Sequence, residues 1–328
     1  MRDVAGTAGV SVKTVSRVVN GESGVRAATA ARVDAAIGRL GFTRNDLASS
    51  LRRGRAGALG LVIEDVANPF YSAIARAVED AAHARGHILI TGSCEEDPAR
   101  ERQLALRLLR RLVDALLIVP AGAEHRYLLP ELAADVPIVF LDRPPGDVEA
   151  DTVLLDNLGG TRTGVEHLLR QRHERIAFVG DSPDLYTAAE RLAGYRAALV
   201  DAGIGVDDEL VRTGSHDAAR AERAVRALLE LPRGRRPTAL FTSNNRNTVG
   251  ALRALRDAPR PVAIVGFDDF ELADMLPTPV TVVRHAPEEM GRIAAELAYA
   301  RLDDGARPPQ RRTIDLELVI RGSGEVAP

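Results

Sequence analysis

Asp3-Val4-Ala5-Gly6-Thr7-Ala8-Gly9-Val10-Ser11-Val12-Lys13-Thr14-Val15-Ser16-Arg17-Val18-Val19-Asn20 reads as two short helices joined at a glycine. Asp3–Ala8 predicts a first helix of small residues, and Gly9-Val10 predicts a tight turn. Ser11 then caps a second helix over Val12–Asn20, because its hydroxyl can accept from an N–H of the first turn. Gly21-Glu22-Ser23-Gly24 reads as a loop, and a third helix runs from about Ala27 to Leu40, closed by Gly41. Ala30, Val33, Ile37 and Leu40 share one face of that helix. In the second helix Val15, Val18 and Val19 fall together and can bury against the other two. Val12, Lys13, Ser16, Arg17 and Asn20 lie on the opposite arc. Short helices around a glycine turn have the geometry of a helix-turn-helix unit.

Charge points the same way. Residues 1–55 hold ten Lys/Arg against four Asp/Glu, a surplus of +6 on a chain of net charge −3, so the other 273 residues carry −9. A small basic head on an acidic body suits a polyanionic partner. Lys13 is the single lysine of the 328 residues. That excludes a Walker phosphate loop, and it excludes a Schiff-base lysine anywhere beyond the head. Cys94 is the single cysteine, and no Cys/His cluster has metal-ligand spacing, so neither metal nor cofactor is expected. An enzyme reading therefore has little to start from. No apolar run reaches the roughly 18 residues of a membrane span, and no basic-then-apolar leader opens the chain. A cytoplasmic protein without a membrane partner is expected.

Residues 43–57 form a polar, Arg-rich linker, after which strands alternate with helices. Strand-like runs are Leu59–Ile63, Ile88–Thr91, Ala115–Val119, Ile138–Leu141, Thr152–Leu155, Ile176–Val179, Ala239–Thr242, Val262–Val265, Thr281–Val283 and Ile314–Ile320. Amphipathic stretches such as Ser72–Arg85, Gly159–Arg170, Thr187–Ala202 and Pro287–Leu302 lie between them. This alternation predicts an α/β architecture of two parallel sheets, each covered by helices on both faces. The ligand position of such folds is at the carboxyl ends of the strands, here in a cleft between two lobes.

The opening stretch resembles the signature of the lactose-repressor (LacI/GalR) family of bacterial transcription regulators. The resemblance continues through Asn45–Leu51, Gly60-Leu61-Val62-Ile63, Asn68-Pro69-Phe70-Tyr71, Asp142-Arg143, Arg191-Leu192-Ala193-Gly194-Tyr195 and Val265-Gly266-Phe267-Asp268-Asp269, and it covers essentially the whole chain. It implies a homodimeric repressor that binds a pseudo-palindromic double-stranded operator and answers to a small sugar or sugar derivative. It also implies an all-α helix-turn-helix head (1–42), a hinge (43–56) and a two-lobed sensor (57–328) like type I periplasmic binding proteins. Lobe one would be 57–155 with 285–312, and lobe two 156–284 with 313–328. Val12 and Lys13 would meet base edges, with Ser11, Thr14, Ser16, Arg17 and Asn20 beside them. Asn45–Leu51 would fold as a hinge helix in the minor groove with Leu51 as a wedge, flanked by Arg52 and Arg53 on phosphates.

For the effector, motif matching implies Phe70, Tyr71 and Asp142 from the first lobe, and Thr187, Arg191, His216, Asn244, Arg246 and Asp268 from the second. Carboxylate, amide and guanidinium groups beside an aromatic face read sugar hydroxyls. Asp142 could equally fix the inter-lobe hinge, Tyr71 could be plain core, and Asp269 is expected to cap a following helix. Arg246 either points to solvent or receives a carboxylate or phosphate on the ligand. Two departures from the family pattern stand out. No hydroxyl residue precedes Arg2-Asp3 to cap the first helix, which leaves it frayed unless the chain starts further upstream. Arg26 takes the place of a capping serine. After the last strand only Gly322–Pro328 remain, so no tetramerising coiled coil is expected. Two rivals are weighed: a solute-binding protein, which would need a leader and no basic head, and a sugar-acting enzyme, for which the residues above give no support.

Overall fold

The computed structural model describes residues 1–19, 22–42, 56–110, 113–305 and 307–328. The chain divides into two compact units, Met1–Ala56 and Gly57–Pro328.

The first unit holds α1 (Arg2–Ala8), α2 (Val12–Val19) and α3 (Ala27–Leu40). Gly9 ends α1 in the left-handed region at φ 64°, where a side chain would strain the backbone, and its N–H reaches back to the last turn. Val15 is fully buried against Val4, Ala5, Ala8, Val33 and Ala36, with Val18, Val19 and Ile37 packed alongside. No side chain caps α1 or α3.

In chain order the second unit runs β1 (Ala58–Ile63), α4 (Pro69–Ala84), β2 (Ile88–Ser93), α5 (Pro98–Leu109), β3 (Ala115–Ile118), α6 (Leu129–Ala133) and β4 (Ile138–Leu141). Then come β5 (Asp151–Leu155), α7 (Asn157–Arg170), β6 (Ile176–Val179), α8 (Tyr186–Asp201), β7 (Val211–Arg212), α9 (Ala218–Leu229), β8 (Ala239–Thr242) and α10 (Asn245–Leu255). The chain ends with β9 (Ala263–Phe267), β10 (Thr281–Arg284), α11 (Pro287–Asp303), β11 (Arg311–Ile314) and β12 (Glu317–Val319). One sheet has the order β11-β5-β4-β3-β1-β2, the other β12-β10-β9-β8-β6-β7. The first is parallel throughout. The second is parallel as well, except that β12 pairs antiparallel with β10. Strands β1, β3, β4, β6, β8 and β9 are buried along their whole length, which their continuous apolar runs require.

The chain passes between the lobes after β5, after β10 and between β11 and β12. The expected third crossing near Thr313 is therefore displaced: Thr313 and Ile314 pair with Leu154 and Leu155 in the first sheet, while Glu317–Val319 join the second. The apolar run Ile314–Ile320, read as one strand, is two short strands in different sheets. Strand β7 and helix α6 had too few residues to carry a periodic signal. Helix α11 lies close on α4 because Gly291 has no side chain; a Cβ there would sit 2.6 Å from the Ile74 carbonyl oxygen.

Candidate effector cleft and DNA-binding surface

In the first unit, Ser11 Oγ accepts from the Thr14 amide at 3.1 Å, the predicted cap of α2. The Thr14 hydroxyl lies 2.9 Å from the same oxygen. Ser11, Val12, Lys13 and Arg17 are exposed, and Thr14 and Ser16 half-buried, so α2 turns a polar arc away from the valine-rich core. Arg17 also pairs with Glu22 at 3.4 Å; both side chains are half exposed, so the pair is weak and can yield to a phosphate. Asn20, Asn45, Leu51, Arg52 and Arg53 lie outside the described residues.

In the second unit a cavity of about 540 Å³ opens between the two sheets. Phe70, Tyr71, Asp142, Thr187, Arg191, His216, Asn244, Arg246 and Asp268 all line it. So do Glu64, Asp65, Asn68, Glu95, Glu96, Arg143, Asp181, Ser182, Asp184, Leu185 and Asn245, which motif matching passed over. Most of these follow directly on the carboxyl ends of β1, β2, β4, β6 and β8, so the strand-end rule for open α/β sheets was the signal that could have found them. Among the described residues, four of the seven non-glycine residues with positive φ, Glu95, Glu96, Asp142 and Asp268, face this cavity. Such backbone persists only where its surroundings hold it, and it gathers at binding sites.

In lobe one, Arg143 grips Glu96 with both terminal nitrogens, at 2.7 and 2.6 Å, and the Pro120 carbonyl at 2.7 Å. Its Nε has no hydrogen-bond partner and lies 3.7 Å from Asp142 Oδ2. Asp142 is 3% exposed and its Oδ1 is equally unpartnered. Burial pushes the Asp142 carboxyl up, against the pull of Arg143 and Arg191. Burial and then Glu96 push Glu64 up to about 7. Tyr71, left open between core and wall, is both: it belongs to the buried core and borders the cavity. Phe70 meets Tyr71 and His285 edge-on, with centroids 4.8 and 5.3 Å away.

In lobe two, Arg191 is anchored from within, donating from Nε to Asn157 Oδ1 at 2.7 Å and from Nη1 to the Ser243 carbonyl. Its guanidinium carbon sits 3.8 Å from the centre of the Phe267 ring. Burial raises Asp268, but Arg191, His285 and the Asn245 amide outweigh it and hold the carboxyl below its usual range. Asp181 takes the Asn244 side-chain N–H at 2.6 Å and faces His216 at 3.6 Å, and burial pushes its carboxyl up. Asp269 caps no helix: it accepts from the Phe270 amide and holds Arg321 with both oxygens.

Arg246 departs from the solvent-facing alternative and lines the cavity. It neither points to solvent nor waits unpaired; it reaches across the cleft to Glu64 at 3.3 Å and Asp65 at 2.5 Å. Beside it, Asn245 Nδ2 donates to Asn68 Oδ1 of lobe one at 3.1 Å.

Residues 1–45 match the bacterial regulatory proteins of the lacI family, and residues 165–324 match a periplasmic binding protein-like domain. The ribose operon repressor of Escherichia coli K12 is 34% identical over 98% of this chain and 99% of its own length. The chain belongs to the lacI family. Two solved transcription regulators extend the likeness to the whole fold. The transcriptional regulator CelR in complex with cellobiose is 32% identical, with a TM-score of 0.72 and 98% of each chain covered. The lac repressor dimer bound to operator and the anti-inducer ONPF is 26% identical, with a TM-score of 0.87 over 99% of this chain and 98% of that one. This lacI-family protein is accordingly a DNA-binding transcription regulator with a small-molecule sensor, and not an enzyme. Among the described residues, no helix is long and apolar enough to cross a membrane.

Proposed function

We propose that this regulator works as a homodimeric repressor whose grip on a pseudo-palindromic operator is set by a sugar or sugar derivative in the inter-lobe cleft. The observation that carries the reading is the convergence of Phe70, Asp142, Arg143, Arg191 and Asp268 on one cavity at the strand ends. Planar guanidinium and carboxylate groups next to an aromatic edge suit ring hydroxyls. The names of the relatives support the same class: a ribose operon repressor, a cellobiose complex and a dimer on its operator. On the DNA side, Lys13 and Val12 read bases while Thr14, Ser16, Arg17 and Asn20, beside Ser11, contribute phosphate or base contacts. On sequence grounds Asn45 and Leu51 belong to the hinge helix that enters the minor groove, and Arg52 and Arg53 neutralise the flanking phosphates. Effector and operator affinities are then coupled and reciprocal.

The test is a thermal-shift panel of pentoses, hexoses and their derivatives, followed by selection of the chain's operator from random DNA with and without each hit. Binding raises stability by RT ln(1 + [L]/Kd). A sugar that both stabilises the protein and changes operator affinity supports the reading; sugars that do neither overturn it.

A further inference from the structure

We propose that Arg246 is a specificity-determining strut of the effector cleft: bonded across it to Glu64 and Asp65, it draws the lobes together before any ligand arrives and turns away ligands with a negative charge. The proposal rests on the cleft being the effector site, as inferred above. Its geometric basis is that the bond partners belong to different lobes. Arg246 opens α10, which stands on the second sheet, whereas Glu64 and Asp65 follow β1 of the first. The contacts run 3.3 Å to Glu64 and 2.5 Å to Asp65, and the side chains are about a third exposed or less, so solvent weakens them less than a surface pair. Asn245 to Asn68, at 3.1 Å, is a second tie at the same edge. Asp65 is itself fixed, accepting from the Ala67 amide at 2.9 Å, so the strut meets a rigid seat.

The same bonds occupy the cation that would otherwise recruit an anionic effector. Eight carboxyl groups line the cavity against three guanidiniums, and setting aside Glu64, Asp142 and Asp181, which burial pushes up, five carboxylates still outnumber them: Arg143 is taken by Glu96, Arg191 sits 4.0 Å from Asp268, and Arg246 is taken by Glu64 and Asp65. A carboxylate or phosphate entering here meets a surplus of its own sign. An uncharged effector instead finds the buried, unpartnered Asp142 Oδ1 and Arg143 Nε waiting for hydroxyl partners.

The closed state has a consequence for affinity. When only a fraction of the protein is binding-competent, apparent affinity falls by that fraction. Removing the strut and leaving about one molecule in ten closed weakens an uncharged effector about tenfold.

The experiment compares the full-length protein with Arg246→Gln and, separately, Glu64→Gln with Asp65→Asn, which removes the charges of the same ion pairs from the other lobe. Small-angle scattering without effector reads closure, and thermal shift with matched neutral, acid and phosphorylated sugars reads selectivity. Both variants are expected to scatter as a wider particle, the triple variant no wider than either, and a neutral sugar to lose about tenfold affinity. Unchanged scattering in a folded variant overturns the strut. A sugar acid or phosphate that binds the wild type and is lost in Arg246→Gln overturns the charge filter and makes Arg246 a ligand contact, leaving the sensor reading intact. Should no sugar of any charge bind, the sensor reading fails while the scattering comparison still decides the strut.

Discussion

Asp142 and Asp268 occupy equivalent places in the two lobes. Each is the first residue past a central strand, with φ of 64° and 67°, and each donates its amide to the neighbouring strand, Asp142 to Val153 and Asp268 to Val283. Both neighbouring strands then lead into a crossing between lobes. The two carboxylates nonetheless sit in opposite electrostatic settings. Asp268 has Arg191 and His285 beside it and is held ionised, whereas Asp142 is raised by its burial.

That contrast predicts opposite responses to a neutral isostere. Asp268→Asn leaves Arg191 and His285 short of a counter-charge and should cost about 1–3 kcal/mol. Asp142→Asn removes a charge that burial disfavours and should leave the melting temperature unchanged or higher. Calorimetry of both variants at pH 7 checks this; equal losses would refute the assigned asymmetry.

The pH dependence follows from Glu64. Its carboxyl is raised from 4.5 to about 7, so the folded sensor prefers the protonated form. The stability this contributes is present below about pH 4.5 and is lost as pH rises through about 7. Groups facing Glu64 are Glu96, Arg143, Tyr71 and Arg246. Denaturant unfolding from pH 5 to 8 should show wild type losing stability relative to Glu64→Gln, and parallel curves would exclude Glu64 as the titrating group.

Arg26 is the extended N-cap of α3 and offers no side-chain acceptor. Arg26→Ser should stabilise that helix by about 1 kcal/mol through a new cap bond. Slower hydrogen exchange of the first α3 amides in the full chain is the expected sign, and unchanged exchange would show that the amides already have partners.

On DNA, Lys13→Ala should relax preference at one base pair per half-site, at about 1–3 kcal/mol. Arg53→Ala should weaken all sequences alike and lower the salt slope of binding. Operators selected by wild type and Lys13→Ala are compared; an identical consensus would mean that another residue of α2 reads that base.

The helix-turn-helix head, the alternation of strands and helices, and nine residues that line the cleft were legible in the sequence. The head and the alternation rest on local chemistry, a serine cap, a glycine in the left-handed region and apolar periods, whereas the nine cleft residues are what the resemblance to the family's motifs implies. Three other features come from long-range packing. The run Ile314–Ile320 divides between two sheets, because strand partners are chosen by long-range pairing that an apolar run does not encode. Asp269 binds Arg321, 52 residues away, instead of a helix end. Arg246 binds Glu64 and Asp65, 182 and 181 residues before it. An ion pair of that span has no sequence period. It exists because two lobes bring the carboxyl ends of their strands face to face, and only there can a guanidinium of one find the carboxylates of the other.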